Sequence, residues 1–386
     1  MALWILLNHK DSSPFLTHLN KTDEILPYLR KKKVALELIN YSEDISLILK
    51  DPEAVLLIPT ELLPEHTATI RFCNKHCVPV FVIASSNQLP DCHYSSLGGD
   101  TQNTVAVIVS YLNQHKRTKM AYFGASTRNT DISKISEFYS LLSDFNEDDV
   151  YFRFKSLDDC FDEFFEKRDK YESIICPNDM TAIYLIERLK ETDPDYIKRT
   201  FIISYMNSIL SQVYHTPITS TSYDSKYINH AIITMYRSLA KSREYAQTVS
   251  MTLRMFLHPR ETTKNLPCNT NEYGAALDNL GTRIFPIPKK MSSDFYDPIV
   301  HVLLSIERML ASSGNMDLKM ILLFLQNKNQ QEVAQELFIA IQTVRYRSGI
   351  IFKKVGVKNK KAFVSLLSKY ISTENLEKYI QNKLKK

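Results

Sequence analysis

Two stretches of this 386-residue chain carry side chains whose types and spacing could do chemistry. The first is Cys73-Asn74-Lys75-His76-Cys77, with Cys92-His93 downstream. Thiolate and imidazole are zinc donors, but structural sites use a tight knuckle or two well-defined pairs. A Cys-x3-Cys on a helical segment offers neither, so ordinary buried thiols are the better reading and no metal or cofactor is expected. The second stretch is Ile341–Val355. Turning 100° per residue, Val344, Ile351 and Val355 share one side of a helix, and Gln342, Arg345, Tyr346, Gly349 and Lys353 share the other. Donors, an aromatic ring and a bare glycine suit a helix on the floor of a DNA major groove. A merely solvated polar helix explains the charges but not the glycine.

Enzymatic constellations are missing. Neither Gly-x-Ser-x-Gly nor His-Glu-x-x-His occurs. Glycine is only 8 of 386 residues, and no GxGxxG or GxxxxGK run is present, which disfavours nucleotide enzymes. A phosphoacceptor domain needs acids after its first and third strands, where Asn8-His9-Lys10 and Pro59-Thr60-Glu61 stand. The expectation is a non-enzyme.

Charge supports the DNA reading. The net charge is +5, yet residues 316–386 hold 14 Lys and Arg against five acids, a net +9. The other 315 residues then carry −4. A basic end behind a mildly acidic body points to a polyanion met at that end only. A solvated lysine face is the rival reading.

The elements that must position these residues follow from hydrophobic patterning. With 44% hydrophobic residues the chain can bury a sizeable core, and its length implies two domains or one large one. No apolar run approaches the roughly 20 residues that cross a bilayer. The opening Met1–Leu7 reads as a first strand rather than a secretion signal. Six scattered cysteines fit a reducing compartment, so a cytoplasmic chain without a membrane partner is expected. Strands are expected at Leu3–Asn8, Val34–Asn40, Ala54–Pro59 and Val78–Ala84, and then at Lys119–Gly124, Val150–Phe154, Glu172–Cys176, Thr200–Ser204 and Met251–Leu257. Helices are expected at Thr101–His115, Asp131–Leu142, Asp158–Lys170, Asp179–Lys190 and Ser225–Ala240. Such alternation is the mark of parallel α/β layers. A ragged break within 91–118 splits them into two lobes, with ligands expected at the carboxyl ends of the strands.

Across residues 1–263 the chain resembles the effector domain of the LacI family. The resemblance is carried by Val78-Pro79-Val80-Phe81-Val82-Ile83, Asp100, Tyr111–Lys116 and Met120-Ala121-Tyr122-Phe123-Gly124. It continues through Cys176-Pro177-Asn178-Asp179-Met180-Thr181-Ala182 and Thr216–Thr221 to Arg260-Glu261-Thr262-Thr263. It implies an α/β, two-lobed periplasmic-binding-protein-like domain used as a sensor. The family's DNA-binding headpiece would precede the first strand, so an output module is expected at the other end. The resemblance also implies effector contacts at Asn178 and Asp179, at Asp100 and at the aromatic Phe15. Helix capping is the rival role for both aspartates, and core packing for Phe15. Departures are Lys134 where the family has Arg, Ser204-Tyr205-Met206 where it has Gly-Phe-Asp, with Asn207 adjacent, and Tyr223 where it has Gln. Lysine lacks the planar fork of arginine. A small polar, anionic or aromatic effector is therefore expected rather than a neutral sugar.

Residues 264–315 read as a linker with a helix. Phe295, Ile299, Val302, Ile306 and Met309 repeat at +4 and +3, a heptad seam that packs on its own domain or against a twin in a homodimer. Residues 316–386 read as a small all-α domain. Asn329 and Glu332 form a capping box, and Phe338-Ile339-Ala340 makes a turn. The run Val333-Ala334-x-x-Leu337-x-Ile339-x-x-x-Thr343-Val344, with Ile351–Val357 and Lys360-Lys361-Ala362, resembles the LuxR/FixJ helix-turn-helix. Thr343–Arg347 is also similar to the purine-catabolism regulator's C-terminal helix-turn-helix. The family's pattern departs at Asn327, where Asn tolerates left-handed geometry, at the uncapped Ala340, and at Arg347. Expected DNA contacts are Gln342, Thr343, Arg345, Tyr346, Arg347, Gly349, Lys353, Lys354, Lys358, Lys360 and Lys361. Together these imply a one-component regulator of double-stranded DNA, acting as a homodimer. The alternative is a degenerate sensor that scaffolds another protein on DNA.

Overall fold

The computed structural model describes residues 2–7, 21–40, 44–50, 52–57, 64–83, 91–223, 225–241, 248–264, 266, 283–289 and 297–384. It forms two compact units, Met1–Thr104 with Tyr223–Phe256, and Val105–Ser222 with Leu257–Lys386. The first unit opens with β1 (Ala2–Leu7), α1 (Lys21–Lys31), β2 (Leu36–Asn40), β3 (Pro52–Leu57), α2 (Pro64–Lys75), β4 (Val80–Ile83) and β5 (Ser95–Gly99). Helix α3 (Thr101–Gln114) carries the chain into the second unit. There follow β6 (Met120–Ala125), α4 (Asn129–Leu141), β7 (Val150–Phe152), α5 (Leu157–Lys167), β8 (Ser173–Ile175) and α6 (Asp179–Thr192). Next come α7 (Pro194–Arg199), β9 (Phe201–Tyr205), α8 (Ile209–Val213) and β10 (Thr219–Ser222). The chain returns to the first unit for α9 (Ser225–Lys241) and β11 (Ser250–Leu253), then crosses to β12 (Phe256–His258) and α10 (Glu261–Lys264). The closing helices are α11 (Pro298–Ala311), α12 (Asn315–Leu325), α13 (Gln330–Glu336), α14 (Ile341–Lys354), α15 (Lys360–Ser368) and α16 (Thr373–Leu384).

Each unit is built on a six-stranded sheet, in the orders β11-β5-β4-β3-β1-β2 and β12-β10-β9-β8-β6-β7. Leu3 lies opposite Leu36 and Ala54, and Tyr122 opposite Val150 and Ile175, all in parallel register. Parallel sheets are covered on both faces, so their strands are apolar throughout. On β4, Phe81 and Ile83 pack with Leu29 and Ile232, while Val80 and Val82 pack with Ile70 and Cys73 on the other side. In the second sheet β6, β8 and β9 are buried along their whole length. Gly124 sits in β6 at φ 77°, where a Cβ would come within 2.5 Å of Thr181 Cγ2. Only glycine lets α6 approach the strand so closely. No helix among the described residues is long and apolar enough to cross a membrane.

Eight of the nine expected strands lie within two residues of their observed limits. The ninth, Met251–Leu257, is two strands, β11 in the first sheet and β12 in the second. Strands β5 and β10 are additions. Ser95-Ser96-Leu97-Gly98-Gly99 and Thr219-Ser220-Thr221-Ser222 have no branched apolar run, and their neighbours hold them extended. Leu97 pairs with Ile83 and Met251, and the Ser96 and Ser250 hydroxyls are 3.0 Å apart.

The helical end belongs to the second unit. Phe324, Phe352 and Phe363 make its aromatic centre, with the last two ring centroids 4.8 Å apart. Asn329 Oδ1 accepts the Gln331 and Glu332 N–H groups at 2.8 and 3.1 Å, and the Glu332 carboxylate accepts the Asn329 N–H at 2.6 Å. Asn327 adopts φ 66°, and Ala340 provides no side-chain cap to α14, both as expected. Ile306 and Met309 of the heptad seam are buried within the chain, on a helix that packs against α6, α8 and α14. This face of α11 is used internally, and Phe295 lies outside the described residues. Upstream, the Arg283 guanidinium donates to the carbonyls of Leu142, Ser143 and Phe145 at 2.8–3.1 Å, fastening the linker to the end of α4.

Candidate functional site

Towards the carboxyl ends of β8, β9 and β10, the second unit gathers a polar cluster. Asn178 is the N-cap of α6, its Oδ1 accepting the Thr181 N–H at 3.0 Å. The helix is thus capped by Asn178, not by Asp179. Asp179 stands in the first turn, where the helix dipole favours an anion. It is fully buried and its carboxylate accepts three internal hydrogen bonds. Oδ2 accepts the Ser208 N–H at 2.6 Å, and Oδ1 accepts the Ser220 hydroxyl at 2.7 Å and that of Ser204. A buried carboxylate is tolerable only with such partners. Arg260 closes the cluster. It donates to the Ile218 carbonyl at 2.7 Å and to Asn207 Oδ1, and its burial lowers its pKa against the opposing pull of Asp179.

Asn207 follows β9 in a strained turn, with Met206 at φ 103° and Asn207 at 51°. Its N–H donates to Ser220 Oγ at 2.9 Å and its amide to Ser222 Oγ at 3.2 Å. Lys134 Nζ lies 4.2 Å from the Tyr205 ring centroid, 3.8 Å from Asp131 and 3.3 Å from the Pro177 carbonyl. Burial holds the Lys134 pKa below its ordinary value, opposed by Asp131. Asp131 itself accepts the Ser126 N–H at 3.0 Å and hydroxyl at 2.6 Å. Burial first, then Asp131, pushes the Tyr205 hydroxyl upward. Tyr122 Oη, Tyr205 Oη and Thr221 Oγ1 are buried without a hydrogen-bond partner. Neutral hydroxyls beside the Lys134 and Arg260 cations suit a polar or anionic molecule chemically; they do not make a nucleophile. Among the described residues no group of three or more His, Cys, Asp or Glu could hold a metal ion.

The structure brings Lys134, Asn178, Asp179 and Asn207 together in the second unit. Asp100 and Tyr223 belong to the first. Asp100 Oδ1 accepts the Asn103 N–H at 3.0 Å and so caps the start of α3. Tyr223 packs against the first unit's core. Phe15 lies outside the described residues. Ser208 and Asp131 carry no motif and are not foreseen, and Ser204 and Ser220 lie in stretches aligned with the family but have no assigned role there. Arg260 ends the family resemblance in the sequence but has no assigned role there.

A second surface is formed by α13, the turn and α14. Val344, Ile351 and Val355 are buried; Gln342, Arg345, Tyr346, Gly349 and Lys353 are exposed, as the helical wheel requires. Tyr346 is 73% exposed, and a Cβ placed on Gly349 would meet nothing within 4 Å beyond its chain neighbours and its own helix backbone. Lys354, Lys358 and Lys361 are exposed, and Thr343 and Arg347 are half-buried. Some of these have internal partners. Arg347 pairs with Asp317 at 2.8 Å, Lys354 donates to Ser312 at 2.8 Å, and the half-buried Lys360 donates to the Asn327 carbonyl at 2.9 Å.

The fold is a two-lobed periplasmic-binding-protein-like one with a helical region at its carboxyl end. It is similar to a LacI family transcriptional regulator from Silicibacter pomeroyi, at 17% identity and a TM-score of 0.51, over 69% of this chain and 100% of that one. It is similar also to the transcription regulator CcpA of Lactococcus lactis, at 16% and 0.52, over 68% and 99%. The transcriptional regulator CelR in its cellobiose complex matches at 13% and 0.53, over 68% and 84%. At these identities the likeness is one of fold. No family model matches the chain, and no curated protein matches it.

Proposed function

We propose that this chain is a ligand-responsive transcriptional regulator that binds double-stranded DNA through α14 and is not an enzyme. The observation that carries the reading is the outward face of α14, which presents Gln342, Arg345, Tyr346 and a bare Gly349 on the chain's basic end. Laid in a major groove, Gln342, Thr343, Arg345, Tyr346 and Arg347 meet base edges, and Gly349 allows close approach. Lys353, Lys354, Lys358, Lys360 and Lys361 meet phosphates. Residues 1–263 are the sensor, 264–315 the connection and 316–386 the DNA-binding module. The protein works in the cytoplasm as a homodimer reading paired half-sites, with contacts other than the buried seam of α11. The effector is a small polar, anionic or aromatic molecule engaged by Lys134, Asn178, Asp179 and Asn207. Asp100, Tyr223 and Phe15 are included from the family resemblance alone. Effector and DNA affinities are then linked reciprocally.

A second reading is favoured by one observation, the engagement of Asp179 by three internal donors. In that reading the sensor holds no small molecule and recruits a protein partner to DNA. A melting-curve screen of small metabolites separates the two, since a specific ligand raises the midpoint. The DNA reading itself is tested by titrating a labelled duplex with the full chain at several salt concentrations. Affinity should fall steeply with salt, and replacing Lys353 and Lys361 by alanine should flatten the slope by about one unit per contact. Absence of binding at low salt overturns the reading.

A further inference from the structure

Helix α8 has only five residues, too few to persist by propensity. Each helix start leaves four backbone N–H groups without an internal partner, and here the first four are taken from three directions. Ser208 N–H goes to Asp179 Oδ2 at 2.6 Å, Ile209 N–H to Glu307 Oε1 at 3.0 Å, and Leu210 N–H to Glu307 Oε2 at 2.6 Å. Ser211 N–H returns to the Ser208 hydroxyl at 3.1 Å. Asp179 opens α6 at the polar cluster; Glu307 is buried on α11. The other end of α8 is held by the helical region too. The Val213 carbonyl accepts the Ser372 N–H at 2.9 Å, the Tyr214 carbonyl accepts Asn375 Nδ2 at 2.9 Å, and His215 Nε2 lies 3.0 Å from the Ser368 carbonyl. Both ends of one short element of the sensor fold are thus gripped by the carboxyl-terminal helices, and one end is shared with the candidate effector residue.

We propose that α8 is the element that joins the polar cluster to the DNA-binding helices, and that Glu307 is a positioning residue for α14. Helix α11, which carries Glu307, packs directly against α14. A change at Asp179 that draws on Ser208 alters the grip of Glu307 on the next two residues, and so the seat of α11 and α14. The output module is then no tethered domain. It moves with the second unit as one body, and α8 is a structural member of both. This rests on the proposed regulator reading only in calling α14 the output.

Hydrogen exchange on the full chain, without DNA, tests the coupling. The variants are Asp179→Asn, Glu307→Gln, the pair combined, and Asn375→Ala as a milder change at the far end of α8. Tyr151→Phe, which removes the 2.8 Å hydroxyl contact with Tyr171 elsewhere in the unit, is the control for general loosening. Each of the first four should speed exchange about tenfold both at residues 178–181 and along α12–α14, the change produced by about 1.4 kcal/mol. The combined variant should be no faster than the more severe single one, because both act on one path. The control should leave α12–α14 unchanged. Should either carboxylate variant fail to fold, Asn375→Ala gives the same reading at residues 178–181. Acceleration confined to α8 and its immediate helix, or a double variant whose effect is the product of the singles, overturns the proposal. DNA titrations run separately, so a chain that fails to bind DNA yet shows this exchange pattern rejects the regulator reading and keeps the coupling.

Discussion

Asp179 and Glu307, 128 positions apart in the sequence, share one turn of backbone: their carboxylates accept the consecutive N–H groups of Ser208, Ile209 and Leu210. Replacing Glu307 by alanine leaves two of those donors, the buried Leu210 N–H and the half-buried Ile209 N–H, without their acceptor. At roughly 1–3 kcal/mol for each orphaned donor, Glu307→Ala should cost about 2–6 kcal/mol. Denaturant titration of the full chain measures it, and a loss below about 1 kcal/mol would mean that the two bonds are not formed in solution.

The exposed face of α14 makes a sequence-specific expectation. Arg345→Ala should lose about 1–3 kcal/mol on a preferred DNA site and relax discrimination at the base pair it contacts. Lys358→Ala should weaken all duplexes alike. Competition binding with matched and mismatched duplexes checks both, and equal losses on every sequence for Arg345→Ala would remove that residue from the base-reading set.

Thiol reactivity should follow burial. Burial pushes the Cys73 and Cys160 thiols up to about 12, and Cys176 well above its ordinary value, whereas Cys77 is exposed. Since the thiolate is the reacting form, iodoacetamide at about pH 8 should modify Cys77 in the native protein and spare these three until denaturant is added. Peptide mass mapping reads the outcome; native labelling of Cys160 as fast as Cys77 would contradict the packing.

Asp193 supplies a pH expectation. Its hydrogen bond from Arg168, at 2.9 Å, holds its carboxyl below the ordinary value of 3.8, and Oδ1 also caps α7 through the Tyr196 N–H at 3.2 Å. A depressed folded pKa means stability that is present above about 3.8 and lost as pH falls through the folded value. Asp193→Ala should therefore cost about 1 kcal/mol near neutrality, with the difference from wild type shrinking in acid below 3.8. A constant difference down to about pH 2 would place the effect elsewhere.

The parallel layers were legible because buried strands such as Val80–Ile83 and Phe201–Tyr205 are built on branched and aromatic runs, broken in the second only by Ser204. Helix α14 was legible because its two faces differ in kind. Strand β10 was not, since Thr219-Ser220-Thr221-Ser222 has no branched apolar run and is held extended by β9 beside it. The cluster around Asp179 was half legible. Asn178-Asp179 could be placed at a strand end, but the serines that fill the carboxylate come from positions 204, 208 and 220, which local pattern cannot connect. Glu307 was invisible for a related reason: within its own helix it reads as a surface acid. Only the fold brings α8 to it.

Selection of duplexes from a random pool by the full chain, followed by titration of the enriched and scrambled sequences near physiological salt, meets the central claim directly. A regulator reading DNA through α14 should prefer the enriched site by about a thousandfold or more, and Arg345→Ala with Tyr346→Ala should erase most of that preference while leaving non-specific binding in place. An enriched sequence bound no better than its scramble, or a preference untouched by those two substitutions, would contradict it.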